Sequence, residues 1–264
     1  MRSWVTSEAT RVAYTQPVAT AGRCFANLTR DFFDPLFLFT MDGDISDTSG
    51  NGYHLEVAAG GIGKGTDESY SDYAAHGGVL WMLGSGTTSL VHGEVVPALR
   101  HAGDMTIFTQ VRHLTESTLA DGWVVGHGGA GATEATNWQY GLLFDDPSIE
   151  WFQEYGAGLS NPENPTEPVK SYTGFAAYGL MVRRYDNGDG TWTVDYFVDD
   201  QEFGTDTFPD SAVPTGGEDG RLRVLGYDGG GYLNDCMVRN ITGWNKKLTR
   251  TQISSVFRRV NGGS

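Results

Sequence analysis

The chain has 264 residues, 39% hydrophobic and 19% charged, with 37 Gly, 9 Pro, 2 Cys and, among its aromatic residues, 7 Trp, 12 Tyr and 13 Phe. That much aromatic side chain can bury a sizeable core, which excludes a disordered chain, and the glycines follow no three-residue period, which excludes collagen. A formal charge of −15 repels nucleic-acid phosphates and anionic lipid at long range, so neither nucleic acid nor membrane is an expected partner.

The charge is unevenly spread. Residues 1–30 hold four Arg against one Glu, a net of +3, and residues 239–264 hold six bases and no acid. The body between them is −24. Such a pattern has two readings: the basic C-terminal stretch neutralises nearby carboxylates of the same fold, or the ends dock on an acidic assembly partner while the body faces solvent. The first 25 residues lack the apolar run of a secretory signal, so export by that route is not expected. Cys24 and Cys236 are too few for a disulfide framework and lack the spacing of a zinc site.

Taken in chain order, residues 1–35 show no periodicity and read as an extended N-terminal arm, followed by one domain over 36–264. From Phe37 onward, short β-branched and aromatic runs alternate with Gly, Asn and Asp clusters. The runs are FLFTM, YHLEV, VLWML, MTIFTQVRHL, WVVGHG, WQYGLLF, IEWFQEY, YGLMVRRY, TWTVDYFV, RLRVLGY and CMVRNITGW. Eleven such runs with turn signals between them predict an all-β sandwich or barrel, and no amphipathic helices separate them as a parallel sheet requires.

In TWTVDYFV, Trp192, Val194, Tyr196 and Val198 alternate with Thr191, Thr193 and Asp195, so the first set is expected inside and the second in water. The Asp186–Gly190 turn predicts a hairpin over 180–203, with a second turn at Asp199-Asp200. Residues 161–168 carry three Pro and read as a rigid surface loop. One helix is expected near the end. Thr249 and Gln252 match a capping box, and Ile253, Val256, Phe257 and Val260 recur at helical spacing.

The order of these elements resembles laminin-G-like domains of the concanavalin A-like lectin/glucanase superfamily. The resemblance lies in Phe39–Gly43 with Asp47–Leu55, in Met105–Arg112, in Tyr196–Phe203 with Asp200 where Gly is usual, and in Gly243–Ile253, a "W-N-x-x-L-T-x-x-Q-I" run. It implies a jelly-roll sandwich of two antiparallel sheets with one short C-terminal helix. Such a fold is shared by lectins, adhesion modules, lyases and glucanases, so it leaves the activity open.

The glucanases of that superfamily carry two catalytic carboxylates in an E-x-D-x-x-E strand. Here Glu150, Phe152 and Glu154 share a strand face and the middle acid is missing, so an acidic strand without catalysis is expected. Gln110–His113 matches one fragment of a lyase motif, without its Tyr-containing strand. No catalytic residue and no enzyme activity are therefore expected. Asp47, Ser49 and Asn51, with Gly52, space their oxygens as the first half of a calcium loop does, and Ala58 stands where the closing Glu belongs. Calcium at these three residues is the one metal to test; no other cofactor is expected.

Aromatic residues near loop glycines are candidate sugar platforms: Trp123, Trp138, Tyr140, Tyr227 and Tyr232, with Asp228 bonding hydroxyls. The expected function is a non-enzymatic structural or adhesive module of a virus particle, a phage capsid decoration or tail component located in the virion. It would dock on virion proteins through residues 1–35 and the basic C-terminal segment, with host-surface glycans as further partners. A glycan-binding lectin-like domain is the second expectation and a polysaccharide hydrolase or lyase the third.

Overall fold

A computed structural model describes residues 28–41, 45–59, 82–84, 89–96, 103–113, 122–128, 139–145, 148–154, 166–168, 178–210, 221–226 and 236–260. Fourteen strands and one helix are found among them: β1 (Phe37–Phe39), β2 (Glu56–Ala59), β3 (Met82–Gly84), β4 (Ser89–Val95), β5 (Met105–His113), β6 (Gly122–Gly128), β7 (Gln139–Asp145), β8 (Ser148–Glu154), β9 (Thr166–Pro168), β10 (Tyr178–Asp186), β11 (Thr191–Val198), β12 (Gln201–Pro209), β13 (Arg221–Val224), β14 (Cys236–Trp244) and α1 (Arg250–Val260). They form two antiparallel sheets with a single C-terminal helix, the expected sandwich. The first sheet runs β1-β14-β5-β10-β11-β12, with β3 also on β14; the second runs β2-β4-β13-β6-β7-β8-β9.

Side-chain alternation sorts the first sheet into two apolar layers. Phe37 and Phe39 of β1, Ile107 of β5, Leu180 and Val182 of β10, and Val194, Tyr196 and Val198 of β11 join the core between the sheets. The second sheet adds Leu90, Val124, Val125, Leu142, Leu222 and Val224 to that core. The residues in between, Leu38, Phe108, Met181 and Phe197, face the opposite way and form a second cluster with Trp244 and the helix residues Ile253, Val256, Phe257 and Val260. Period-two alternation thus feeds two layers, because both faces of this sheet are covered.

That second layer explains a departure from the simple alternation expected for β11. Thr193 and Asp195 are buried at 8% and 4% exposure, and so is Phe197. Burying the Asp195 carboxylate requires partners. Arg183 Nε donates to its Oδ2 at 2.8 Å and Thr205 Oγ1 to its Oδ1 at 2.8 Å, while Arg183 Nη1 also donates to the Leu248 carbonyl.

The helix begins where the capping box places it. Thr249 N donates to Gln252 Oε1 at 2.8 Å and Gln252 N to Thr249 Oγ1 at 3.3 Å, which satisfies two donors that no helical carbonyl reaches. Its seat is Gly179, where an added Cβ would stand 2.8 Å from Phe257 Cε1 and 3.1 Å from Phe108 Cε2. At its start Arg250 grips both the carboxylate and the carbonyl of Asp200, and Ser254 Oγ donates to the same carboxylate.

Residues 28–35, at the end of the expected arm, pack on this layer as well. Leu28 is 2% exposed in the helix-side cluster, Phe32 and Phe33 lie against it, and Trp244 Nε1 donates to the Phe32 carbonyl at 3.2 Å. Residues 1–27 lie outside the described residues.

Three further elements differ from expectation. β4 and β9 were not among the eleven runs, and the hairpin continues past Phe203 into a nine-residue β12. β9 falls in the proline-rich segment expected to be a loop, pairing with β8 through Thr166, Glu167 and Pro168. Its place at the end of the second sheet is where a proline is tolerated, since an edge strand has one side with no ladder to complete.

Candidate functional site

The loop expected to hold calcium is described in full and gathers Asp47, Ser49 and Asn51 against β1. Asp47 Oδ1 accepts from the amides of Leu38 and Ser49, both at 2.9 Å; its Oδ2 accepts from the Tyr53 amide at 2.9 Å and lies 2.8 Å from the Ser49 hydroxyl. A carboxylate has about four lone-pair sites, and four donors converge on this one. Asn51 turns its amide nitrogen inward, donating to the carbonyls of Pro35 at 3.2 Å and Leu36 at 2.8 Å. A cation at Asp47 would displace donors rather than fill a cage of acceptors. The three residues tether the loop to β1 and its approach. Among the described residues, no group of three His, Cys, Asp or Glu is placed to hold a metal ion.

The expected sugar platforms are not brought together on described positions. Trp138, Tyr227, Asp228 and Tyr232 lie outside the described residues. The backbones of Trp123 and Tyr140 stand in different rows of the second sheet, Trp123 opposite Leu143 and Tyr140 opposite His127 and Gln153. Glu150 pairs with Leu143 and Thr166, and Glu154 with Gln139.

A feature not singled out from the sequence lies on β13, an interior strand of the second sheet. Leu222 and Val224 enter the core, so Arg221 and Arg223, which alternate with them, leave the sheet on its outer face. Arg223 is only 3% exposed, whereas Arg221 is half-buried. The register places Gly126 beside Arg223, followed by Gly141 on the next strand, and places Gly128 beside Arg221. Three glycines therefore stand in the rows of the two arginines on that side, and Gly126 is buried, as Arg223 is. On the other side Val91 and Val95 pair with them, with the exposed Gly93 between. The legible signal was the alternation in Arg221-Leu222-Arg223-Val224, which puts two cations on one face. Which face, and which strands flank it, depended on the sheet order.

No protein-family model and no curated protein sequence matches the chain. Among solved structures it is similar to domain 4 of AbnA, a GH43 extracellular arabinanase from Geobacillus stearothermophilus in complex with arabinotriose, at 14% identity and TM-score 0.56, covering 88% of this chain and 98% of that one. It is similar to the receptor binding domain of botulinum neurotoxin D at 13% identity and TM-score 0.51, covering 85% of this chain and 52% of that one. It is also similar to Trypanosoma rangeli sialidase in complex with the inhibitor DANA, at 16% identity and TM-score 0.52, covering 85% of this chain and 32% of that one. The chain thus spans about half of the toxin domain and about a third of the sialidase. At these identities the likeness is one of fold: a two-sheet antiparallel β-sandwich.

Proposed function

We propose that the chain is a non-enzymatic adhesive module that binds carbohydrate on the outer face of its second sheet. The observation that carries this reading is the difference between the two outer faces. On the first sheet, α1 and residues 28–33 pack over the apolar side chains. On the second, β13 carries Arg221 and Arg223 beside the glycines of β6 and β7. A guanidinium donates in a planar fork to sugar oxygens, and Arg221 is half-exposed. The neighbours support the reading, since one is an arabinanase domain in complex with arabinotriose and another is a receptor binding domain. The absence of the middle acid between Glu150 and Glu154 favours binding over hydrolysis.

A glycan array probed with the intact chain tests this, together with a Trp123→Ala variant that is expected to weaken retention. Retention of no glycan removes the reading. Release of reducing ends from a polysaccharide, lost in Glu150→Gln, replaces it with an enzymatic one.

A finer reading assigns the module to a virus particle, docked through its basic ends. It is favoured by the meeting of residues 28–33, which begin inside the N-terminal basic stretch and run just past it, with α1 of the C-terminal one, in one cluster on the first sheet. Both ends would then hold the particle from the face opposite the sugar face. Mass spectrometry of purified particles from the source is the check, and absence of the chain from them removes this reading.

A further inference from the structure

An asparagine followed by glycine is open to attack by its own backbone, because glycine has no side chain to shield the next amide nitrogen and its dihedrals allow a ring to close. The chain has three such pairs, Asn51-Gly52, Asn187-Gly188 and Asn261-Gly262; the first two are exposed, and the third lies outside the described residues. Both exposed pairs have a left-handed glycine, Gly52 at φ +81° and Gly188 at φ +74°. Their side-chain amides are held alike. Asn51 Nδ2 donates to the carbonyls of Pro35 and Leu36, at 3.2 and 2.8 Å, and Asn187 Nδ2 to the hydroxyls of Thr191 and Thr193, at 3.0 and 2.9 Å. The backbone nitrogens differ. Gly188 N donates to Asp186 Oδ1 at 2.7 Å, and a carboxylate that accepts from this N–H opposes loss of its proton. Gly52 N makes no hydrogen bond among the described residues.

We infer that Asn51-Gly52 is a site of self-modification, at which the Gly52 amide nitrogen attacks Asn51 Cγ. The N–Cγ bond that forms closes a succinimide ring as the Cγ–Nδ2 bond breaks, and the proton lost from Gly52 leaves with Nδ2 as ammonia. Water then adds to either ring carbonyl carbon and opens the ring, giving aspartate with the chain unchanged or isoaspartate with the chain rerouted through Cγ. Either product puts a carboxylate where an amide donor stood. A carboxylate only accepts, so it repels the Pro35 and Leu36 carbonyls that Asn51 holds. The loop then keeps its bonds from Asp47, Thr48 and Ser49 and loses its outermost tether to the approach of β1. The pair is a one-way timer that loosens this loop as the chain ages.

Peptide mapping by mass spectrometry of the intact chain, aged at mildly alkaline pH, is the test, with the same chain aged in urea as the unfolded reference. In the folded chain Asn51 is expected to convert about fivefold or more faster than Asn187, the factor that one hydrogen bond implies, and the two rates are expected to converge in urea. Asp186→Ala, which releases the Gly188 amide, is expected to raise the Asn187 rate in the folded chain. An unconverted Asn51 in the folded chain overturns the inference, as does conversion of Asn187 at an equal or greater rate, or an Asn187 rate that Asp186→Ala leaves unchanged. The loosened loop is read from Asn51→Asp, in which the Ser49 and Tyr53 amides that Asp47 holds are expected to exchange about fivefold faster than in the unmutated chain. Unchanged exchange at those amides overturns the timer.

Discussion

Asp47 shows how much one side chain can fasten. It is 6% exposed and serves as the acceptor for donors from three places, Leu38 on β1, Ser49 beside it and Tyr53 at the far end of the loop. Asp47→Ala leaves buried amides without acceptors and is expected to cost on the order of 3 kcal/mol, measured as a shift of the urea midpoint at constant slope. Added calcium is expected to leave the melting temperature of the unmutated chain unchanged, since those donors already occupy the carboxylate; a rise with calcium would return the loop to metal binding.

Asp200 is a second such residue. Its φ is +72°, in the left-handed region that glycine enters without steric cost. Asp199 at φ +47° completes a two-residue turn with both central residues left-handed. The Arg250 contact offsets the strain, so Asp200→Gly, which relieves strain but loses the contact, is expected to fall within about 1 kcal/mol of the unmutated chain. Asp200→Ala keeps the strain and loses the contact, and should be the less stable of the two by about 1 kcal/mol in the same denaturation. Equal stability of the two variants would mean that the left-handed conformation at this position costs little.

At the scale of elements, the helix and its seat form one unit. Phe257 meets Phe108 edge-on at 5.6 Å directly over Gly179. Gly179→Ala forces the helix off its bed, at an expected cost of about 1–3 kcal/mol. Amide exchange should rise in α1 and little elsewhere; a uniform rise would instead show that the helix and sandwich unfold together. The helix itself was readable residue by residue, from Thr249 and Gln252 through to Val260, because capping and amphipathic spacing are local signals. The β10–β11 hairpin was readable for the same reason, with Asn187, Gly188 and Gly190 making a turn that closes from Asp186 to Trp192. β9 and β4 were not, since a three-residue edge strand containing Pro168 and a strand interrupted by Gly93 lack the pattern that marks the others.

For the whole molecule, the helix-side layer makes the first sheet an interior element. Truncation before Arg250 would bare Leu38, Phe108, Met181, Phe197 and Trp244 to water. Each large side chain uncovered costs about 1.5–3 kcal/mol, so the truncated chain is expected to aggregate or to melt far below the full one in light scattering and calorimetry. Deletion of residues 1–35 should also lower the melting temperature, because Leu28 and the bond from Trp244 to Phe32 go with it. A deletion that leaves the melting temperature unchanged would show that residues 28–35 add no stability.

Local information in the chain determined the strand character, the principal hairpin, the helix with its cap, and the uneven charge of ends and body. Each depends on spacing of a few residues, where periodicity and turn chemistry act directly. Only the tertiary structure decided that Asp195 is buried with Arg183, that Asp47 binds amides, and that residues 28–35 belong with the helix. It alone set β13 between β4 and β6, with Arg221 and Arg223 beside glycines from a segment about 95 residues earlier in the chain. Strand order is fixed by which faces must be covered and which strands can pair across long loops, and no local pattern carries that information.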